Sequence, residues 1–173
     1  MDKDTNIDNL FLDTVACHEG MIRRICHVYS TEKVTNEDLY QEAMVALWNG
    51  LKSFKGKSSL STWIYRVVIN SCISFLRHND SKTLYISTES IKEIPDSTTS
   101  YCKDDYECLT YLISRLSPLD KALILMWLDE RTYKEISDVT GLAPNLVGTR
   151  LTRIRTKLRK LWKTEISNTF DDE

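Results

Sequence analysis

Apolar side chains recur along most of this chain in steps of three and four. Phe11, Val15, His18, Ile22, Ile25 and Tyr29 follow that spacing through residues 10–29, which predicts an amphipathic helix that Gly20 weakens slightly. Thr35 opens a second helix. Asp38 stands three residues on, so the pair can close a capping box, and Leu39, Ala43, Leu47 and Leu51 make one face. Gln41, Glu42 and Val45 fall elsewhere on that helix. A basic loop bracketed by Gly50 and Gly56 follows. Ser59 or Ser61 then caps a third helix, in which Leu60, Ile64, Val67, Ser71 and Phe75 keep the period, with Val68, Cys72 and Leu76 beside them.

The period lapses after about residue 80. The stretch STESIKEIPDSTTS is rich in Ser, Thr and acids and reads as a linker. It resumes with Leu109, Leu112, Ile113 and Leu116. Ser117 caps the next helix, with Pro118 at its first position and Asp120 at its third. Thr132 and Glu135 form a second capping-box pair, Ile136 and Val139 the buried side of that helix, and Gly141 permits a left-handed exit. Pro144 suits the first turn of a last helix lined by Val147, Leu151, Ile154, Leu158 and Leu161. The expected fold is all-α: two small helical domains, residues 1–80 and 107–166, joined by a flexible acidic linker over 81–106 and followed by an acidic tail over 167–173.

Composition agrees with that class. Five glycines and three prolines in 173 residues are too few for a strand-and-turn protein. The net charge of -2 argues against nonspecific coating of nucleic acid, but its distribution is uneven. Residues 43–79 hold no acid and five Lys or Arg; residues 144–164 hold no acid and seven. The stretch between, 81–107, carries six acids against three lysines. Five irregularly spaced cysteines with no CxxC suit reduced thiols, and the Cys17-His18 and Cys26-His27 pairs lack zinc-site spacing. No metal or other cofactor is expected. The start is polar, and no apolar run is long enough to span a bilayer, so a cytoplasmic protein with no membrane insertion is expected.

A short helix, a turn with glycine and a longer basic helix form a helix-turn-helix pattern over residues 132–162. With Leu142 and Val147 plugging the space between the helices, the other face of the last helix offers Asn145, Thr149, Thr152 and Arg153 to base edges in a major groove. Arg150 and Arg153 are the expected DNA contacts; Lys160 and Lys163 act at longer range. A solvated basic helix, or one that binds acidic proteins or a membrane surface, is the alternative. In the first half, Trp63 and Tyr65 near Arg66 could stack on unpaired bases; otherwise Trp63 is core and Tyr65 a boundary residue. The three histidines have no nucleophile or carboxylate arrangement, and no phosphate-binding glycine loop is present, so no enzyme is expected. Asp38 and Glu42 alone would be half a metal site.

The segments EDLYQEAMVALWNGLKSFKGKSSLSTWIYRVVINSCISFLRH and LISRLSPLDKALILMWLDERTYKEISDVTGLAPNLVGTRLTRIRTKLRKLW resemble regions 2 and 4 of the extracytoplasmic-function sigma factors, small members of the sigma-70 family. The resemblance implies a promoter-specificity subunit of RNA polymerase. It implies that Asp38, Gln41 and Glu42 dock on the beta-prime coiled coil of the polymerase core, the beta subunit being the other core partner. It implies that the segment with Phe54, Lys55, Lys57 and Ser61 captures a flipped base, and that Trp63, Arg66, Asn70 and Arg77 meet the -10 DNA and its melted strand. It further implies that residues 133–152 lie in the motif that reads the -35 duplex, that the linker threads toward the RNA exit path, and that an anti-sigma protein is a partner. Gly148, where relatives carry longer residues, and Ala143, in place of a serine-like cap, depart from the pattern. With eleven residues after Trp162, the extra carboxyl-terminal domain of larger relatives is not expected. A freestanding helix-turn-helix regulator, or a polymerase-binding interaction protein that does not read promoters, are the alternatives.

Overall fold

The computed structural model describes residues 2–79 and 105–170, with side chains described for 7–79 and 105–164. All of these residues lie in helices or in the turns between them. They belong to two units, Met1–Leu84 and Tyr85–Glu173. Most of the expected linker, together with Cys102, lies outside the described residues.

The first unit is a three-helix cluster of α1 (Asp2–Tyr29), α2 (Asn36–Leu51) and α3 (Leu60–Asn79). α1 starts well before residue 10, because Ile7 carries the same face one turn beyond Phe11. Its buried stripe of Ile22, Ile25, Cys26, Val28 and Tyr29 closes against Leu39, Ala43 and Leu47 of α2 and Ile64, Val68 and Cys72 of α3. The start of α2 is the expected box: Thr35 Oγ1 accepts from Asp38 N–H at 3.1 Å, and Asp38 Oδ2 accepts from Thr35 N–H at 3.1 Å. Ser59, rather than Ser61, caps α3, its Oγ accepting from Thr62 N–H at 3.2 Å.

The buried face of α3 is turned from the expected one. Tyr65 and Ile69 are buried, while Val67 and Phe75 are only half-buried. The stripe through residues 64, 68 and 72 has two possible flanks, and apolar identity points to the wrong one; the neighbouring helices choose. Tyr65, expected at a boundary, is therefore core. Cys17 is exposed and Cys26, Cys72 and Cys108 are buried free thiols. The Cys72 thiol hydrogen-bonds Cys26 and holds it below the ordinary thiol range. His18 turns its Nδ1 to the Thr14 carbonyl at 2.8 Å, a contact within one helix, and His27 is exposed.

The second unit comprises α4 (Asp105–Ser114), α5 (Pro118–Leu128), α6 (Tyr133–Thr140) and α7 (Pro144–Phe170). α4 takes in Asp105 and Tyr106 from the stretch expected to be linker, and α7 continues past residue 166 into the expected tail. α5 is buried from Lys121 through Met126 without a break, so it is the central helix, covered by α4, α6 and α7. The turn out of α5 places Glu130 at φ 57, a left-handed position held by a residue other than glycine. Arg131 N–H and Asp129 N–H return to the Met126 and Leu125 carbonyls at 3.0 and 3.1 Å, which closes that helix end. The box of Thr132 and Glu135 starts α6, with Glu135 N–H to Thr132 Oγ1 at 3.3 Å and Thr132 N–H to Glu135 Oε2 at 2.9 Å. Gly141, at φ 75, ends α6 with its N–H on the Ser137 carbonyl at 2.8 Å. Ile136 carries the burial of α6; Val139 is only half-buried.

Candidate nucleic-acid interface

α7 buries Val147, Leu151, Ile154 and Leu158 against the rest of its unit. At about 100° per residue, Asn145, Thr149, Thr152 and Thr156 fall in a strip about 60° wide on the opposite side of the helix. All four are exposed. Arg153, Lys157 and Lys160 border the strip, and with Thr152 and Thr156 they line a shallow groove. Four of the five residues expected to face DNA (Asn145, Thr149, Thr152 and Arg153) thus share one exposed surface. Thr156 and Lys157, which belong to it, were not singled out from sequence, although their spacing of four from Thr152 and Arg153 was there to be read.

Arg150 differs from the expectation. Its Nε donates to Asp120 Oδ1 at 2.7 Å, with both side chains largely covered. Asp120 was expected only as the third residue of the α5 cap, and its N–H does bond Ser117 Oγ at 3.2 Å. Its carboxylate instead holds α7 to the start of α5. Arg155 also turns back, its guanidinium 4.7 Å from the Trp127 ring centre. Arg150 and Arg155 thus bind their own unit, whereas Arg153 carries no ion pair among the described residues.

The two departures from the family pattern have local explanations. A Cβ on Gly148 would lie 3.1 Å from Cε2 of Tyr133, so the glycine lets the first residue of α6 lie against α7. Ala143 has no capping oxygen, but its carbonyl accepts from Leu146 N–H at 2.9 Å and Val147 N–H at 3.1 Å. Pro144 has no N–H, so the amino end of α7 offers a phosphate fewer donors than an ordinary helix start.

The first unit presents a second strip. On α3, Trp63, Arg66, Asn70 and Arg77 also fall within about 60°, again away from the buried side. Arg66, Asn70 and Arg77 are exposed and Trp63 is half-buried. The Trp63 ring lies against Gly50 of α2, where an added Cβ would meet Cζ2 at 2.8 Å. Phe54 packs on the same ring, centroids 5.2 Å apart. Both readings of Trp63 therefore hold in part, since one side of the ring is packed and the residue stays partly open. Lys55 and Lys57 stand exposed on either side of Gly56, whose φ of 67 makes the tight turn between them. Ser61 is half-buried, 3.3 Å from Ser59 Oγ.

On α2, Asp38, Gln41 and Glu42 are exposed together. Asp38 Oδ2 is engaged in the helix cap, receiving Thr35 Oγ1–H at 2.8 Å. Val45, 57% exposed, sits one turn beyond Gln41 and gives this acidic face an apolar centre. Sequence spacing already sets Val45 off the buried face with Gln41 and Glu42, although it is not among the expected polymerase contacts. Behind the face, Arg23 covers the Tyr40 ring at 4.4 Å, and Phe11 packs edge-on against Trp48 at 5.1 Å.

Comparison with known proteins bears on both units. Residues 14–82 match the family description Sigma-70 region 2, and residues 106–158 match Sigma-70, region 4. The chain is 31% identical over 135 residues to RNA polymerase sigma factor YlaC of Bacillus subtilis, covering 73% of this chain and 76% of that one. It is 24% identical over 170 residues to RNA polymerase sigma factor SigV of the same organism, covering 96% and 100%. In fold it is similar to the sigma factor RpoE of Bartonella quintana, solved with the anti-sigma factor NepR, at a TM-score of 0.67 and 23% identity over 88% of this chain and 96% of that one. It is also similar in fold to CnrH, solved with the cytosolic domain of CnrY, at a TM-score of 0.63 and 17% identity over 91% and 90%.

Proposed function

This chain belongs to the sigma-70 family, in its extracytoplasmic-function group, and directs RNA polymerase to promoters; on that premise we propose how its two units share the work. The second unit reads the -35 element as duplex, laying the strip of Asn145, Thr149, Thr152 and Arg153 along a major groove. The first unit engages the -10 element as it opens. Phe54, Lys55, Lys57 and Ser61 receive a flipped base, while Trp63, Arg66, Asn70 and Arg77 follow the melted strand by stacking and charge. Asp38, Gln41 and Glu42, with Val45 at their centre, dock on the beta-prime subunit of the core, and the beta subunit completes the contact. Arg150 acts as a positioning residue through Asp120, a change from the direct DNA contact its sequence context suggests.

The observation that carries this division is the pair of exposed strips. Each lies opposite its own buried stripe, and each is made of the residue types its target requires. Catalysis stays with the polymerase core. Two weak heads on one chain gain through effective concentration: once one is placed, the other searches a small volume. The same economy keeps the free chain off random DNA, in accord with its net charge of -2.

Among the described residues no helix is long and apolar enough to cross a membrane, and we place the protein in the cytoplasm with the polymerase it serves. An anti-sigma protein that covers these surfaces is the regulator we propose; the sigma factor RpoE, similar in fold, was solved with the anti-sigma factor NepR. The deciding experiment is in vitro transcription with purified chain, core polymerase and fragmented genomic DNA. Mapped start sites should share upstream and downstream motifs at a fixed separation. Footprints that form equally well without core would favour a freestanding regulator, and core binding with no promoter DNA retained would favour an interaction protein.

A further inference from the structure

The threonine hydroxyls on the exposed strip of α7 all turn back to the helix itself. Thr149 Oγ1 donates to the Asn145 carbonyl at 3.2 Å, Thr152 Oγ1 to the Gly148 carbonyl at 3.0 Å, and Thr156 Oγ1 to the Thr152 carbonyl at 2.9 Å. Each hydroxyl has one proton, and in all three it is committed to the helix's own backbone. What each side chain keeps for a partner is the Cγ2 methyl and the oxygen lone pairs, since a staggered Cβ with its oxygen turned back leaves the methyl toward solvent. The three residues follow one another at steps of three and four, about 5 Å apart along the axis, so their methyl groups form a row. Arg153 on one side of that row and Arg159 on the other offer planar donor forks, and Arg153 lies at the end nearer the start of the helix.

A surface that offers methyl groups and acceptors but few donors selects among base edges. In the major groove, guanine shows two acceptors, which suit Arg153 and not a hydroxyl whose proton is engaged. Thymine shows a C5-methyl, which packs against another methyl, while the exocyclic amines of adenine and cytosine suit an oxygen acceptor. Resting on the -35 reading above, we propose that Thr149, Thr152 and Thr156 recognise thymine through its C5-methyl group, and that Thr156 is a specificity residue of the same rank as the two others. The upstream element then sets thymines against the threonine row, with guanine at the position Arg153 reaches. Beside the row, Gly148 leaves space that the Tyr133 ring fills, 3.1 Å from where a Cβ would stand.

The test uses holoenzyme, assembled from the full chain and core polymerase, on a promoter mapped as above. Uracil replaces thymine at one position of the upstream element at a time, which removes only the C5-methyl. Open-complex formation should fall about fourfold, the worth of one buried methyl group, at each thymine that meets the row. Thr→Ser and Thr→Val variants at residues 149, 152 and 156 separate the methyl from the hydroxyl. Thr152→Val keeps both shape and methyl and should retain the sensitivity to uracil. Thr152→Ser keeps the hydroxyl but loses the methyl, so it should lower open-complex formation about fourfold on the thymine promoter and abolish any further loss on uracil at that one position. Both substitutions sit on the exposed face, and circular dichroism checks that the helix persists. Uracil without effect at every position, or an upstream element with no thymine on either strand, would overturn the inference while discrete initiation kept the sigma reading intact. No discrete start site at all would instead overturn the sigma reading itself.

Discussion

α3 and α7 solve the same structural problem with different chemistry. Both are long helices that bury one stripe and expose a strip about 60° wide on the other side. The strip of α3 holds a tryptophan braced by Phe54 and Gly50, with Arg66, Asn70 and Arg77 beside it. The strip of α7 holds no aromatic residue; it is small, threonine-rich and bordered by Arg153, Lys157 and Lys160. An unpaired base offers its π-face, which rewards a fixed ring. A paired base offers only its edge, which rewards short side chains and one fork of donors. The contrast also extends to how each strip is held. The ring of α3 is set by packing against α2, whereas the orientation of α7 rests partly on one ion pair to α5.

The largest effect should come from Trp63→Ala, which removes the braced ring. Stacking of a base on an aromatic side chain is worth about 1–3 kcal/mol, so open-complex formation, followed by permanganate reactivity of the -10 strand, should fall about ten- to a hundredfold. The upstream footprint should persist; its loss in parallel would erase the distinction between the two helices. Next is Val45→Asp, which places a charge at the apolar centre of the α2 face. Core affinity should drop about tenfold, the cost of truncating a modest interface anchor, with the isolated chain still folded. Unchanged core affinity would remove Val45 from that interface.

Arg150 and Arg153 provide a finer test. Arg153→Ala should relax selection at the one guanine its fork reads and, with one cation gone from the groove, flatten the salt dependence of upstream DNA binding. Arg150→Ala should leave the salt slope alone and lower thermal stability. A double-mutant cycle with Asp120→Asn should return a coupling of about 0.5–1 kcal/mol for this partly covered pair. A reduced slope in Arg150→Ala would return that residue to the DNA. The smallest effect belongs to Glu130→Gly in the turn that delivers α6. Relief of its left-handed backbone, φ 57, should stabilise the second unit by about 0.5–1 kcal/mol in thermal unfolding, without altering promoter choice.

The helices and their starts were legible because their causes are local. The Thr35–Asp38 and Thr132–Glu135 boxes and the Ser117 cap join residues three apart, and such pairs can be read from spacing alone. Gly141 at φ 75 belongs to the same class. The exposed strip of α7 was legible for the same reason: once Val147, Leu151, Ile154 and Leu158 are taken as buried, the period of the helix dictates what faces out.

What the sequence by itself settled was therefore the set of helices, the caps of α2, α5 and α6, and the outward face of α7. Only the tertiary structure decided which flank of α3 is buried, so that Tyr65 rather than Val67 joins the core. It also decided that Arg150 answers Asp120, thirty residues away, and that Gly50 and Gly148 are the resting places of the Trp63 and Tyr133 rings. Periodicity ranks the faces of one helix, but a side chain's partner across the interior depends on how neighbouring helices are rotated and spaced. That arrangement is a property of packing, in which every contact depends on all the others.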